Sequence, residues 1–440
     1  MRDHFEDLAR AAGELLRGGE SFDLGLAAEE SDFVRLSRGA VRQAGTVTQR
    51  TLTVDLAEGR RHAAGTLTLS GDLAADRARL ADLMLELREQ RAALPEDPWL
   101  LHPDEVSSSE RTLAGRLPER AEALERLREA GEGRDLVGLY AAGPVHVGFA
   151  SSRGQRCWFT QASFNLDWSF YLDGDRAVKA SYAGLDWRPQ ELARKVADAT
   201  RQLEALARPT RRLAPGRYHV ALAPDAVAEL LGLLGWGGFS LRALRTKTSP
   251  LVRMADEDER LHPAVTLVED TAAGLAPDFQ EQGFRRPPRV PLIERGVWRG
   301  SLVSPRSAAE FGAACNGASA DEAPRSLDMA AGDVPSNELV RRLGTGILVS
   351  NLHYLNYSDR VQCRATGMTR FACFQVEGGE VVAPIGVLRF DDTIYRMLGR
   401  NLAGLTAERE TILDPLTYGG RSVASMRVPG ALIADVAFTL

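Results

Sequence analysis

The ten residues "SFNLDWSFYL" (163–172) alternate without a break: Phe164, Leu166, Trp168, Phe170 and Leu172 fall on one side, Ser163, Asn165, Asp167, Ser169 and Tyr171 on the other. Successive strand side chains point to opposite faces, so this stretch is a half-buried strand with one wet face. One-sided burial of that kind belongs to antiparallel sheets. The turn "DGDR" sends the chain back into "AVKASYAG". In "RTLTVDL" the same period puts Leu52, Val54 and Leu56 on one face and Thr51, Thr53 and Asp55 on the other; after "AEGR", "GTLTLSG" pairs back as a hairpin. Helical spacing surrounds these strands. It joins Phe5, Leu8, Ala12, Leu15 and Leu16 within 3–18, and Leu80, Leu83, Met84 and Leu87 after Asp72. A short helix ends near Gly131, "RPQELARKVADATRQLEALA" is amphipathic, and "ALPEDPWLLHPDEVSSSE" reads as a loop.

At 440 residues the chain exceeds one comfortable core. The stretch "RPTRRLAPG" marks the expected boundary, giving an N-terminal α+β domain over 1–212 and a β-rich domain over 213–440. In the second, "VPLIERGVWRGSLVSP" and "FACFQVEGGEVVAPIGVLRF" are strand–turn–strand units, the latter turning at Gly378–Gly379, and "SVASMRVPGALIADVAFTL" ends in strand. The fold class is therefore α+β in two domains, the second dominated by antiparallel sheet.

A formal net charge of −6 gives no global attraction for nucleic acid, and the basic runs "RPTRR" and "FRRPPR" carry prolines that suit solvated connections. Acids and bases interrupt the N-terminal apolar positions, so no signal peptide is expected, and no window reaches the ~18 apolar residues of a membrane span. Cys157, Cys315, Cys363 and Cys373 form no CxxC and no metal-ligand spacing, which points to the cytoplasm; Cys363 and Cys373 either meet across a hairpin or stay separate thiols.

Motifs for catalysis are scarce. GxSxG, Walker and HExxH patterns are missing, and "GTGILV" lacks the third glycine of a dinucleotide fingerprint. None of the seven histidines stands three or four residues from another, and His62, His146 and His219 fall at strand positions. The densest polar–aromatic stretch is "SNLHYLNYSDRVQCRATGMTRF" (350–371), with His353, Tyr354, Asn356, Tyr357, Asp359, Arg360, Arg364, Thr369 and Arg370. It reads either as a long solvated connection whose Asp–Arg neighbours pair or as a binding surface. Residues 223–238, "APDAVAELLGLLGWGG", form a helix opened by Pro224 and Asp225, striped by Val227, Leu230, Leu231 and Leu234, and stopped by Gly235, Gly237 and Gly238. Glu229 is its one ionisable side chain beyond the first turn.

An ordered series now carries a resemblance: "GRYHVALAPDAVAELLGLLG", "DFQEQGFRRPPRVPLIERGVW", "SAAEFGAACNGASA", "NELVRRLGTGILVSNL", "TGMTRFACFQVEGGEVVAPI" and "GGRSVASMRVPGALIADVAF". Over about 213–440 the chain resembles the TldD/PmbA family, once labelled modulators of DNA gyrase and now regarded as metallopeptidases; the N-terminal half matches mainly in its order of elements. The resemblance implies a dimer of two related chains. The TldD type holds zinc with an HExxxH helix and a later cysteine, the glutamate serving as general base; the TldE or PmbA type has the same fold without those ligands. Here Gly232, Leu233 and Gly237 align with the histidine, glutamate and second histidine, and Leu416, four residues before Gly420, aligns with the cysteine. Between His219 and His262 there is no histidine, so a slip of register changes nothing.

The implied role is a metal-free TldE/PmbA-like subunit with no catalytic or metal-binding residue of its own. Zinc is expected on a TldD-type partner, or the chain forms a homodimer when that partner is absent. The pair would enclose a chamber that admits extended or unfolded peptide as an added strand. Candidate substrate or interface residues are His353, Tyr354, Asn356, Asp359, Arg360 and Arg370, near the chamber or the dimer seam. Three other readings stay open: a paired hydrolase acting on a non-peptide bond of a small natural product, a non-enzymatic regulatory or binding protein, and a self-sufficient homodimer with a site around His353 and Asp359.

Overall fold

Two sheets organise the protein, which a computed structural model describes over residues 1–439. Leu440, the last residue of the expected second domain, lies outside the described residues. Strands of the first sheet all precede residue 185, and strands of the second all follow residue 215.

The first sheet begins with helix α1 (Arg2–Glu14), β1 (Glu20–Ser37), β2 (Ala40–Glu58), β3 (Arg61–Thr68) and α2 (Leu73–Ala93). It continues with β4 (Ser109–Leu113), α3 (Arg120–Gly131), β5 (Asp135–Ser151), β6 (Arg156–Asp173), β7 (Arg176–Gly184) and α4 (Pro189–Leu206). The order is β3-β2-β1-β5-β6, with β4 and β7 sharing the outer edge of β6; within this sheet only the β4–β6 pairing is parallel. Asp72 caps α2 by accepting the Ala75 N–H at 2.8 Å, which fixes the helix start. Helix α1 is shorter than expected: Leu15 and Leu16 lie beyond its end but still pack on its cluster.

Alternation along the strands decides which face is covered. Phe22, Leu24 and Leu26 of β1 join Leu52, Val54 and Leu56 of β2 beneath α1 and α2. Val34 and Leu36 join Phe164, Leu166, Trp168 and Phe170 beneath α3 and α4. The four helices thus share one face of the sheet, and the opposite face turns toward the second domain.

In the second sheet, β8 (Gly216–Leu222) feeds α5 (Pro224–Gly235). The strand Ser425–Phe438 sits at its centre, antiparallel to β8 and to Leu402–Leu413 and parallel to Ser326–Met329. β8 also runs parallel to Gly346–Val349. Both parallel pairs join strands far apart in the chain, as crossover connections require. The hairpin Phe374–Glu377/Glu380–Pro384 turns at Gly378 (φ +60°) and Gly379 (φ +85°), the left-handed pair such a turn demands.

Segment 350–371 corrects the expectation of a long connection. It is a hairpin: Asn351–Asp359 pairs antiparallel with Arg364–Arg370, whose other edge pairs with Arg389–Thr393. Register shifts between His353 and Asn356 and between Tyr357 and Asp359 break the period of two, so the strand is hidden from a reading by alternation. All four cysteines are free, Cys363 and Cys373 both buried. Among the described residues no helix is long and apolar enough to cross a membrane.

Candidate functional site: the end of α5 and the 351–370 hairpin

Pro224 occupies the first turn of α5, where its missing N–H costs no hydrogen bond, and Asp225 stands at the positive end of the helix. Val227, Leu230, Leu231 and Leu234 are completely buried in the large core of the second domain. The helix stops at Gly235. A Cβ on Gly238 would lie 2.2 Å from the Leu234 carbonyl oxygen, so only glycine lets the chain turn there.

The four positions aligned with zinc ligands and base are arranged as follows. Gly232 lies within α5, and a Cβ there would meet only the Met426 methyl at 3.9 Å. Leu233 is buried, and its carbonyl accepts the Tyr357 hydroxyl at 2.8 Å. Gly237 has left the helix with φ +78°, and a Cβ would come within 2.9 Å of the Arg360 guanidinium. Leu416 is exposed on the segment that joins Leu402–Leu413 to Ser425–Phe438. Two glycines and two leucines offer no lone pair, so this donor set does not fit zinc. Among the described residues, no three His, Cys, Asp or Glu side chains converge as metal ligands.

Arg360 fills the space beside Gly237. It donates to the Thr248 and Trp236 carbonyls, each at 2.6 Å, with its guanidinium 5.3 Å from the Trp236 ring centre and 5.0 Å from that of Tyr357. Asp359 does not pair with it; its carboxylate accepts the Gln362 N–H at 3.0 Å and closes the turn. Arg364 pairs instead with Asp391. The His353 and Tyr354 rings lie with centres 4.1 Å apart and planes tilted by 46° on the exposed part of the hairpin, Tyr354 with φ +50°. Asn356 is exposed too, while Arg370 lies at the base over the Phe371 ring, 5.0 Å from its centre. The six candidates therefore do not form one cluster. His353 and Asp359 are six strand residues apart, roughly 20 Å at the rise of an extended chain, and form no catalytic pair.

Glu229, the lone ionisable residue of the α5 body, is neither plain core nor a remnant ligand. Its carboxylate accepts the Leu352 N–H and, at 3.4 Å, the Asn351 side-chain amide, tying the helix to the start of the hairpin's first strand. Burial pushes its carboxyl up to about 7 against these hydrogen bonds. One turn earlier, Asp225 accepts the Ser181 hydroxyl of β7 at 3.0 Å and is also pushed upward by burial. No local sequence signal names Asn351, Leu352 or Ser181 as partners.

The segment carrying Leu416 is pinned to the first domain by Arg421. Its guanidinium donates to the Gly143 carbonyl at 3.0 Å and to the Ser163 carbonyl and hydroxyl at 2.8 and 2.7 Å. Gln49 adds a bond to the Gly419 carbonyl at 3.0 Å. Leu416 and Tyr418 project from this strap, 62% and 96% exposed.

No match is found among curated proteins. Solved structures share the whole architecture. TldE from Thermococcus kodakarensis aligns over 99% of this chain and 100% of its own at 14% identity and a TM-score of 0.79. Proteins described as modulators of DNA gyrase from Thermotoga maritima and Bacteroides thetaiotaomicron each align over 99% of both chains, at 13% and 16% identity and TM-scores of 0.76. At these identities the likeness shows the fold. Residues 215–439, just over half of the chain, match the family described as the PmbA/TldA metallopeptidase C-terminal domain, and the protein belongs to this TldD/PmbA family.

Proposed function

We propose that this chain is the metal-free, TldE-like subunit of a two-chain zinc peptidase acting on extended or unfolded peptide. The reading rests on the end of α5. There a bare Gly232, a buried Leu233 and an off-helix Gly237 stand at the ligand and base positions, with Arg360 in the second histidine's space. Similarity in fold to an archaeal TldE supports it. Zinc and the general base belong to a TldD-type partner bearing HExxxH, and this chain supplies wall and docking surface. Free cysteines suit a cytoplasmic setting.

Co-expression with a TldD-type chain tests the proposal. The expected result is a co-purifying pair with zinc bound by the partner, hydrolysis of unstructured peptides by the pair, and neither zinc nor hydrolysis with this chain alone. Stoichiometric zinc on the isolated chain, or turnover without a partner, overturns it. A pair that cleaves only non-peptide bonds of small molecules rejects the peptide substrate.

A further inference from the structure

The alternation that places Leu52, Val54 and Leu56 under the helices sends Thr51, Thr53 and Asp55 to the uncovered face of the first sheet, and β1 sends Asp23, Gly25 and Ala27 the same way. These residues floor a cavity of about 540 Å³ closed from the other side by the second domain, through 276–282 and 422–424. The volume suits a small-molecule ligand. Phe149, Phe279, Leu100 and Val423 make much of the wall apolar; charged groups stand on both sides, Asp23 and Asp55 on the floor and Glu281, Arg286 and Arg325 on the side of the second domain.

One pair on that floor is unbalanced. The β1–β2 register sets Asp23 directly opposite Asp55, and like charges facing across an antiparallel pair repel. His62 answers Asp55, with Nδ1 at 2.9 and 3.0 Å from the two carboxylate oxygens and Nε2 at 3.3 Å from Asp97. Burial still pushes the Asp55 carboxyl upward against the pull of His62, and the charge of Asp23 adds to that push. Asp23 is held more loosely: His102 Nδ1 stands 3.4 Å from its carboxylate, within ion-pair reach of a protonated imidazole but without a hydrogen bond. A largely apolar cavity thus carries two adjacent carboxylates, one of them without a hydrogen-bonded donor.

We infer that this cavity binds a ligand carrying a protonated amine on an apolar body, the ammonium donating to Asp23 and Asp55 and the body lying against Phe149 and Phe279. A cation between the carboxylates converts their repulsion into charge-assisted hydrogen bonds. The site needs neither a metal nor a partner subunit, so it stands apart from the subunit assignment above.

Titration calorimetry of the isolated full-length chain near neutral pH tests the inference with three probes: phenethylamine, a Phe-Ala-Ala amide, and its N-acetylated form. Saturable binding of phenethylamine is expected. If the free-amine peptide also binds, the ligand class extends to peptide N-termini; if it does not, the site takes free amines. Acetylation should abolish peptide binding. Asp23→Asn should weaken amine binding about tenfold or more, the scale of a lost hydrogen bond to a charged group, while raising the melting temperature by relieving the repulsion. Ala27→Trp, which fills the floor without touching either carboxylate, should abolish binding with cooperative melting preserved. Failure of both amines to bind, equal binding of the acetylated peptide, or full affinity in a folded Asp23→Asn protein overturns the inference.

Discussion

Arg360 both donates to the Trp236 carbonyl at 2.6 Å and lies over the Trp236 ring, so one side chain closes the end of α5 from the hairpin. It also occupies the room a side chain at position 237 would need. Introducing the family's zinc motif at the aligned positions, by Gly232→His, Leu233→Glu, Gly237→His and Leu416→Cys, should therefore leave the protein without stoichiometric zinc. Residue 237 is left-handed and blocked, and a β-carbon there adds strain of about 1–2 kcal/mol. Metal analysis after dialysis against limiting zinc checks this.

Glu229 makes stability depend on pH. Its folded value is about 7 against an ordinary 4.5, so between these the folded state holds a proton that the unfolded state has released. Stability then falls as pH rises through that window, by on the order of 2–3 kcal/mol once above it. Glu229→Gln keeps an acceptor for the Leu352 N–H and cannot ionise. The variant should melt a few degrees above the wild type at pH 8, and the gap should close by pH 5. Melting curves across the range provide the test; a constant gap rejects the assignment.

How much of this site could be read from the chain depends on whether burial is one-sided. Leu230, Leu231 and Leu234 announce α5 because one stripe is dry, and Phe164–Leu172 announce β6 for the same reason. The first part of β2, from Ala40 to Thr48, is exposed on both faces, so no period marks it and its strand goes unread. The 351–370 hairpin is hidden differently, by two register shifts that move side chains between faces. Contacts such as Glu229 with Leu352 or Arg421 with Ser163 span more than a hundred residues and are chosen by tertiary packing, which no local pattern encodes.

Removing Arg421 should free the strap that carries Leu416. The guanidinium satisfies buried acceptors on Gly143 and Ser163, and truncation leaves these without donors. Arg421→Ala should cost about 3 kcal/mol, the scale of breaking a buried charged network, and admit proteolysis within 414–424. Arg421→Lys keeps the charge without the planar fork and should recover only part of the loss. Limited proteolysis with mass mapping, run beside thermal melts, separates local release from global unfolding.

Leu416 and Tyr418 are large apolar side chains that the isolated chain leaves in water, on a segment otherwise held firmly by Arg421 and Gln49. A loop tied down at Gly419 and Arg421 that presents aromatic and aliphatic surface is suited to anchor a partner, since part of its freedom is already spent before association. Leu416→Ala with Tyr418→Ala should leave the melting temperature of the isolated chain within about a degree, because side chains this exposed add little to folding. The same pair should weaken association with a TldD-type chain by about tenfold or more, the effect of losing an aromatic anchor. Analytical ultracentrifugation of the wild-type and doubly substituted chains against the partner measures this, and unchanged association places the subunit contact elsewhere on the protein.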